Sequence, residues 1–225
     1  MNRLFFAAGL ALACTGASAV GTALETDAEK FSYAFGIKMT QSLMGQDAPL
    51  DADALYLAIK DALANATPRL SAEAMDNAQR SAAQKVGEKK KTRANENQAK
   101  GKAYLEKNKT KKGVTSLPDG LQYEVLRAGT GPQPTADSTV KVHYTGTLID
   151  GHEFDSSKHD GKPVTFPVNG VISGWSEVLP LMKTGAHWKV TIPPELAYGA
   201  NGSGPEIGPN ETLVFEIELL DVVHE

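Results

Sequence analysis

The residues best suited to chemistry lie in the C-terminal half of the 225-residue chain, where aromatic residues and glycines are concentrated. Phe154 and Asp155 follow an Asp-Gly turn signal, and the segments VISGW (171–175) and AYG (197–199) add a tryptophan and a tyrosine. The histidines include no closely spaced pair typical of a helical metal site, and no glycine-rich phosphate loop opens a helix. The segment SSK (156–158) is not a nucleophile elbow. These patterns argue against metal, phosphate-loop and nucleophilic chemistry.

Two segments with strand periodicity flank this region. Val140, Val142 and Tyr144 alternate with Lys141 and His143, the period of a half-buried strand. A second alternation near the C-terminus places four apolar residues on one face, namely Leu213, Phe215, Ile217 and Leu219. The sequence therefore predicts two strands that present apolar faces to a common core, with the aromatic and glycine segments between them.

Five motifs in this half, in order and with matching spacing, resemble the FKBP-type peptidyl-prolyl isomerases. They are VHYTGTL (142–148), DGHEFDSS (150–157), VISGW (171–175), AYG (197–199) and TLVFEIELL (212–220). The resemblance implies an antiparallel β-sheet wrapped around a short helix. It also implies cis/trans isomerisation of X-Pro bonds in an apolar pocket, with no metal and no cofactor.

The resemblance also implies a role for each residue that matches a family motif. Asp155 would lie against the rotating carbonyl with Tyr144 as its hydrogen-bonding neighbour, and the Tyr198 hydroxyl would donate to another carbonyl. The residues expected to bind substrate are Phe154, Phe166, Val171, Ile172, Trp175, Ile207 and Phe215, with Trp175 under the proline ring and the Ile172 N–H as a donor. The implied inhibitors are the macrolides rapamycin and tacrolimus. Taken singly, each residue is better explained by core packing or a turn, and only their shared spacing favours a pocket.

The first nineteen residues have the form of a signal peptide. Arg3 precedes the apolar run LFFAAGLALA (4–13), and Ala17-Ser18-Ala19 has the small-x-small form of a cleavage site. The interpretation is a signal peptide at 1–19 and export to the periplasm. The single cysteine, Cys14, leaves an alternative open, because Leu12-Ala13-Cys14 can end a lipobox and make the protein an outer-membrane lipoprotein.

Residues 20–70 read as a helical dimerisation region. Thr26-x-x-Glu29 has the form of a capping box before a stripe of Phe31, Phe35, Met39 and Leu43. Asp51 can cap a second helix with its own stripe of Leu55, Ile59 and Leu63. Two short helices cannot bury both stripes by themselves, which favours a homodimer. The alternative is that they cap the C-terminal domain of the same chain.

A long, polar helix is predicted to begin after Ser71 and to run to about Asn108, so that residues 71–112 connect two bodies and 113–225 form the isomerase domain. Residues 85–112 hold eleven Lys or Arg and three Glu, a local charge of +8. A solvated helix face is favoured, and attraction to anionic lipid or acidic clients is the alternative. No nucleic-acid partner is expected, because no aromatic ladder accompanies the charge.

This arrangement, with SYAFGIKM (32–39) and GLQYEVL (120–126), resembles the macrophage infectivity potentiator subgroup of the FKBP-type isomerases. The predicted class is α+β. The predicted function is isomerisation of X-Pro bonds in unfolded or exported polypeptides. The alternative is a dimeric periplasmic chaperone or binding module with secondary isomerase activity.

Overall fold

The computed structural model describes residues 23–44 and 49–223. The predicted signal peptide, with Cys14, lies outside the described residues. The chain divides into two compact units near Leu43. The first contains helix α1 (Asp27–Met44), which begins at the predicted capping box. The Glu29 N–H donates to Thr26 Oγ1 at 3.2 Å, and the Thr26 N–H donates to a Glu29 carboxylate oxygen at 2.8 Å. The capping-box prediction is confirmed.

The second unit begins with helices α2 (Ala52–Leu63) and α3 (Ala72–Asn108). Both predicted N-caps are present, since Asp51 Oδ1 accepts from the Ala54 N–H at 2.8 Å and Ser71 Oγ accepts from the Ala74 N–H at 3.2 Å. An apolar hollow of about 470 Å³ lies between α2 and the start of α3. Leu57, Leu70 and Met75 are among the residues that line it.

Helix α3 is more than the solvated connector that its polarity predicted. Asn97, Gly101 and Asn108, all in its C-terminal half, are buried. The helix contacts the C-terminal domain through amide side chains and a glycine, so the contact leaves no apolar stripe for periodicity to detect.

The C-terminal domain is built on a seven-stranded antiparallel sheet. Its strands are β1 (Val114–Ser116), β2 (Gln122–Arg127), β3 (Thr139–Leu148), β4 (Glu153–Ser156), β5 (Val164–Pro167), β6 (His187–Ile192) and β7 (Leu213–Val223). The strand order is β1-β2-β6-β7-β3-β4, and β5 pairs with β3. The sequence predicted no strand at β1. A three-residue strand that is mostly exposed has too short an alternation to be recognised.

The short helix α4 (Ser173–Val178) packs against this sheet. Its Trp175 and Val178 are buried in one cluster with Val142 of β3 and Ile217 of β7. The fold is therefore α+β, with N-terminal helices followed by an antiparallel sheet and a short helix, as predicted. Over the part of the chain that the structure describes, no helix combines the length and the apolar character needed to cross a membrane.

Candidate active site

One cavity of the C-terminal domain, of about 490 Å³, collects most of the predicted site residues. It is lined by Tyr144, Phe154, Asp155, Phe166, Gly170, Val171, Ile172, Trp175, Tyr198 and Phe215. Nine of the ten predicted residues are in this set. Ile207 is not: its side chain is buried in the core, and its backbone pairs with Ser203. Gly170 lines the cavity and was missed, because a glycine has no side chain whose chemistry would mark it.

Four strands, a helix and loops bring these residues together, with Phe166 on β5. Tyr144 lies on β3, Asp155 on β4 and Phe215 on β7, and the register sets both Asp155 and Phe215 opposite Gly146 of β3. Trp175 comes from α4, and Tyr198 comes from the connection between β6 and β7. The site therefore depends on the pairing of strands that are distant in sequence.

Gly146 is required by the rings on either side of it. A Cβ at this position would lie 2.7 Å from the ring of Phe154 and 2.7 Å from the ring of Phe215. Those two rings pack edge to face with centroids 5.6 Å apart. The absence of a side chain at Gly146 therefore lets both rings reach the cavity. Sequence reasoning assigned it no role, although it lies within VHYTGTL.

Trp175 is the centre of an aromatic cluster. Its ring makes edge-to-face contacts with Tyr144 at 5.3 Å, Phe166 at 5.8 Å and Phe215 at 5.3 Å between centroids. Such contacts are the preferred geometry of aromatic pairs and stabilise them by about 0.5–1.5 kcal/mol each. Only 4% of Trp175 is exposed, and its indole N–H has no hydrogen-bond partner among the described residues. The base of the cavity is thus apolar and rigidly packed.

Polar groups occupy one wall of the cavity. The Tyr144 hydroxyl donates to Asp155 Oδ2 at 2.6 Å. Burial raises the pKa of Tyr144 well above its usual range, and the hydrogen bond to Asp155 raises it further. Burial and the nearby Asp155 carboxylate also raise the pKa of Tyr198. Both hydroxyls therefore stay protonated at neutral pH and can donate hydrogen bonds.

Ser157 holds the backbone of Tyr144. Its Oγ accepts from the Tyr144 N–H at 2.9 Å, and its own N–H donates to the Tyr144 carbonyl at 3.1 Å. Ser157 is buried, so this pair of bonds is shielded from water. Sequence reasoning missed it, although the serine pair that ends DGHEFDSS was a usable signal.

The backbone at the entrance to α4 offers a free donor. The Ile172 carbonyl accepts from the Trp175 N–H at 2.9 Å and from the Ser176 N–H at 3.1 Å. Its own N–H finds no acceptor within residues 23–44 and 49–223. An unsatisfied N–H beside an apolar cavity is suited to binding a carbonyl oxygen.

Two family models match the chain over most of its length. One, described as FKBP-type peptidyl-prolyl cis-trans isomerase, matches residues 131–220. The other, described as the domain amino terminal to FKBP-type peptidyl-prolyl isomerase, matches residues 28–125. The chain belongs to the FKBP-type peptidyl-prolyl cis-trans isomerases. The prediction of an isomerase is confirmed.

Similar proteins cover the helical half of this FKBP-type isomerase as well. The outer membrane protein MIP of Legionella longbeachae is 43% identical over 218 residues, which span 95% of this chain and 94% of that protein. The peptidyl-prolyl cis-trans isomerase Mip of Coxiella burnetii is 41% identical over 229 residues, 99% of both. The crystal structure of FkpA from Escherichia coli matches with a TM-score of 0.63 and 43% identity, over 89% of this chain and 98% of that one. The predicted subgroup is confirmed by these relatives.

Proposed function

We propose that this isomerase rotates the X-Pro bonds of unfolded, exported polypeptides inside the cavity over Trp175, with Asp155, Tyr144 and Tyr198 as its catalytic groups. The observation that carries the proposal is the Tyr144–Asp155 hydrogen bond, which sets a carboxylate at the wall of an aromatic cavity. The substrate-binding side chains are those predicted from the sequence, with the exception of Ile207.

The apolar base of the cavity lowers the barrier by excluding water. Rotation about the peptide bond costs about 18–20 kcal/mol because the planar amide has partial double-bond character. That planar form is also the more charge-separated one, so water stabilises it more than it stabilises the twisted form. The substrate's proline ring would pack on Trp175, between the rings of Tyr144, Phe166 and Phe215. Binding there removes water from the amide. The cavity therefore favours the twisted amide relative to the planar one.

The polar groups hold the segment while one bond rotates. The Ile172 N–H and the Tyr198 hydroxyl are donors for two carbonyl oxygens, which fix the chain on either side of the proline. As the amide twists, the nitrogen lone pair leaves conjugation and the carbonyl carbon becomes more electron-deficient. The Asp155 carboxylate, held by Tyr144, is suited to stabilise that carbon.

A peptide assay tests this function directly. The purified chain should accelerate cis/trans exchange in a short proline peptide, and rapamycin or tacrolimus should inhibit it by filling the same cavity. Acceleration that saturating macrolide leaves unchanged would place catalysis elsewhere in the chain.

The helical half supports a homodimer of residues 20–70, joined by 71–112 to isomerase domains at 113–225. Phe31 and Phe35 of α1 are 72% and 60% exposed, and Leu63 of α2 is 82% exposed. Proteins rarely leave several large apolar side chains of a helix exposed to water without a partner. A second copy of the chain would cover them.

A chaperone contribution is the second candidate function. The apolar hollow between α2 and α3, with exposed Leu57 and Leu70 on its lining, could hold unfolded segments before or after isomerisation. The signal-peptide pattern supports export to the periplasm, and attachment to the outer membrane through Cys14 is the alternative. The naming of one relative as an outer membrane protein is compatible with both.

A further inference from the structure

Asn97 of α3 makes a buried contact with the segment that leads into β7. Its side chain is 8% exposed, and Nδ2 donates to the Pro209 carbonyl at 2.9 Å and to Glu211 Oε1 at 2.7 Å. Both hydrogens of the amide group are therefore used on the two residues that flank Asn210. Because Asn97 is buried and both hydrogens of Nδ2 are bound, the contact specifies one position of this segment against the helix.

Asn210 extends the contact to the active-site loop. Its φ of 54° is in the left-handed region, which asparagine tolerates better than most residues. Its N–H donates to the Gly199 carbonyl at 2.9 Å, and its side-chain amide donates to the Ala94 carbonyl of α3 at 3.4 Å. Gly199 directly follows Tyr198. A continuous set of hydrogen bonds thus runs from α3 through Asn210 to the residue next to the catalytic tyrosine.

Gly101 lets the helix approach this closely. A Cβ at Gly101 would overlap Thr212 Oγ1, and Thr212 is 1% exposed. Gln122 binds the end of the helix twice. Its Nε2 donates to the Leu105 carbonyl at 3.0 Å, and its Oε1 accepts from Nδ2 of Asn108, the last residue of α3, at 2.9 Å. The C-terminal half of α3 is therefore held against the isomerase domain at several points.

We infer that Asn97 is a positioning residue for the isomerase reaction, acting through Asn210 to hold Tyr198 at the cavity. This inference rests on the proposed role of Tyr198. Tyr198 lies in a loop and is 38% exposed, so the hydrogen bonds that hold the backbone of this loop help to place its hydroxyl. A displacement of about 1 Å is enough to weaken a catalytic hydrogen bond substantially. The connecting helix is therefore part of the catalytic apparatus as well as a spacer.

Asn97→Ala in the full-length chain tests the inference, with Asn95→Ala as the matched control. Asn95 lies two residues away on the same helix and is exposed. We expect Asn97→Ala to lower kcat/KM on a short proline peptide by roughly three- to tenfold, the usual size of interactions within one hydrogen-bond network. Asn95→Ala should leave the rate unchanged.

The Tyr198→Phe background distinguishes positioning from general destabilisation. In the Tyr198→Phe enzyme there is no hydroxyl at this position, so a displaced loop no longer weakens a catalytic hydrogen bond. Adding Asn97→Ala should therefore lower kcat/KM by less than about twofold. An equal loss in both backgrounds would show that Asn97 does not act through Tyr198, and a fully active Asn97→Ala enzyme would also overturn the inference. A Tyr198→Phe enzyme with the normal rate would instead refute the proposed role of Tyr198.

Asn210→Gly is a second variant that tests the inference if urea unfolding shows that Asn97→Ala is not folded. Glycine accepts the φ of 54° and keeps the N–H bond to Gly199, while the side-chain bond to Ala94 is lost. The same pattern is expected: a lower kcat/KM in the natural background and little change beside Tyr198→Phe. A normal rate, or an equal loss in both backgrounds, counts against the inference.

Discussion

The hydroxyl of Tyr144 and the carboxylate of Asp155 are joined by a 2.6 Å hydrogen bond across the paired strands β3 and β4. The two residues are eleven positions apart in sequence, and the turn at 150–151 brings them together. The bond leaves one Asp155 oxygen available beside the cavity and keeps the tyrosine protonated, since it raises the pKa of Tyr144 together with burial. The carboxylate is thus oriented before any substrate binds.

Asp155→Ala should slow isomerisation of a proline peptide about tenfold while the domain stays folded. This rate change corresponds to a loss of about 1.4 kcal/mol of transition-state stabilisation. The reason is loss of the oriented carboxylate with little loss of packing. Peptide exchange rates and urea unfolding check both parts. Asp137→Ala, at an exposed aspartate of the same domain, is the control. A folded Asp155→Ala enzyme with the natural rate would contradict the assignment.

Gly101→Ala and Gly87→Ala should have opposite effects on stability, although both replace a glycine of α3. A Cβ at Gly87 meets nothing within 4 Å, so the higher helix propensity of alanine should stabilise the chain by up to about 1 kcal/mol. At Gly101 the added carbon overlaps Thr212, which should lower the free energy of unfolding by about 1–3 kcal/mol. Urea unfolding measures both. Two stabilised variants would mean that α3 does not pack on Thr212.

Glu177 should make the stability of the isomerase domain depend on pH. A hydrogen bond with Asp119 raises the pKa of Glu177 to about 7, helped by slight desolvation and by the Asp119 charge. The pKa of Glu177 in the folded state thus exceeds its value of about 4.3 in the unfolded chain. The contribution of Glu177 to the free energy of unfolding is therefore complete below about pH 4.3 and is lost as the pH rises through about 7.

Glu177→Gln should therefore gain stability relative to the natural chain between pH 5 and pH 8. The gain is modest because the side chain is exposed to water. Urea unfolding across this range measures it, with Glu195→Gln at another exposed glutamate as the control. A difference that is constant with pH would rule out the raised pKa of Glu177.

The helical half should matter for long clients and not for short peptides. Two catalytic domains in one dimer would rebind an unfolded chain before it diffuses away, so the full-length protein should accelerate proline-limited refolding more than a monomer at equal site concentration. Phe35→Asp should abolish the proposed dimer in analytical ultracentrifugation and remove this advantage, while Gln41→Asp on the same helix should not. Equal refolding rates for all three proteins would assign the helices another purpose.

A fragment that begins near residue 88 should isomerise a short peptide as well as the full chain, because it keeps Asn97, Gly101 and Asn108. A fragment that begins at 113 lacks all three and leaves the buried Gln122 and Thr212 exposed. It should unfold at a lower urea concentration and turn over more slowly. Equal stability of the two fragments would show that α3 contributes nothing to the domain.

The local features of this protein were readable from its sequence. The caps at Thr26, Asp51 and Ser71 each involve residues three apart, and the strand alternations around Val142 and Ile217 span a few residues. These signals depend only on near neighbours, so they survive without knowledge of the fold. The motif spacing also identified nine of the residues that line the cavity.

The tertiary structure alone decided the contacts between distant segments. The sequence indicated a polar connector in α3, and only the fold shows Asn97 and Gly101 packed against residues more than one hundred positions away. It also moved Ile207 from the cavity to the core. The physical reason is that a buried amide or a glycine at a close approach produces no periodic pattern. Its role is set by the partner that the folded chain brings to it.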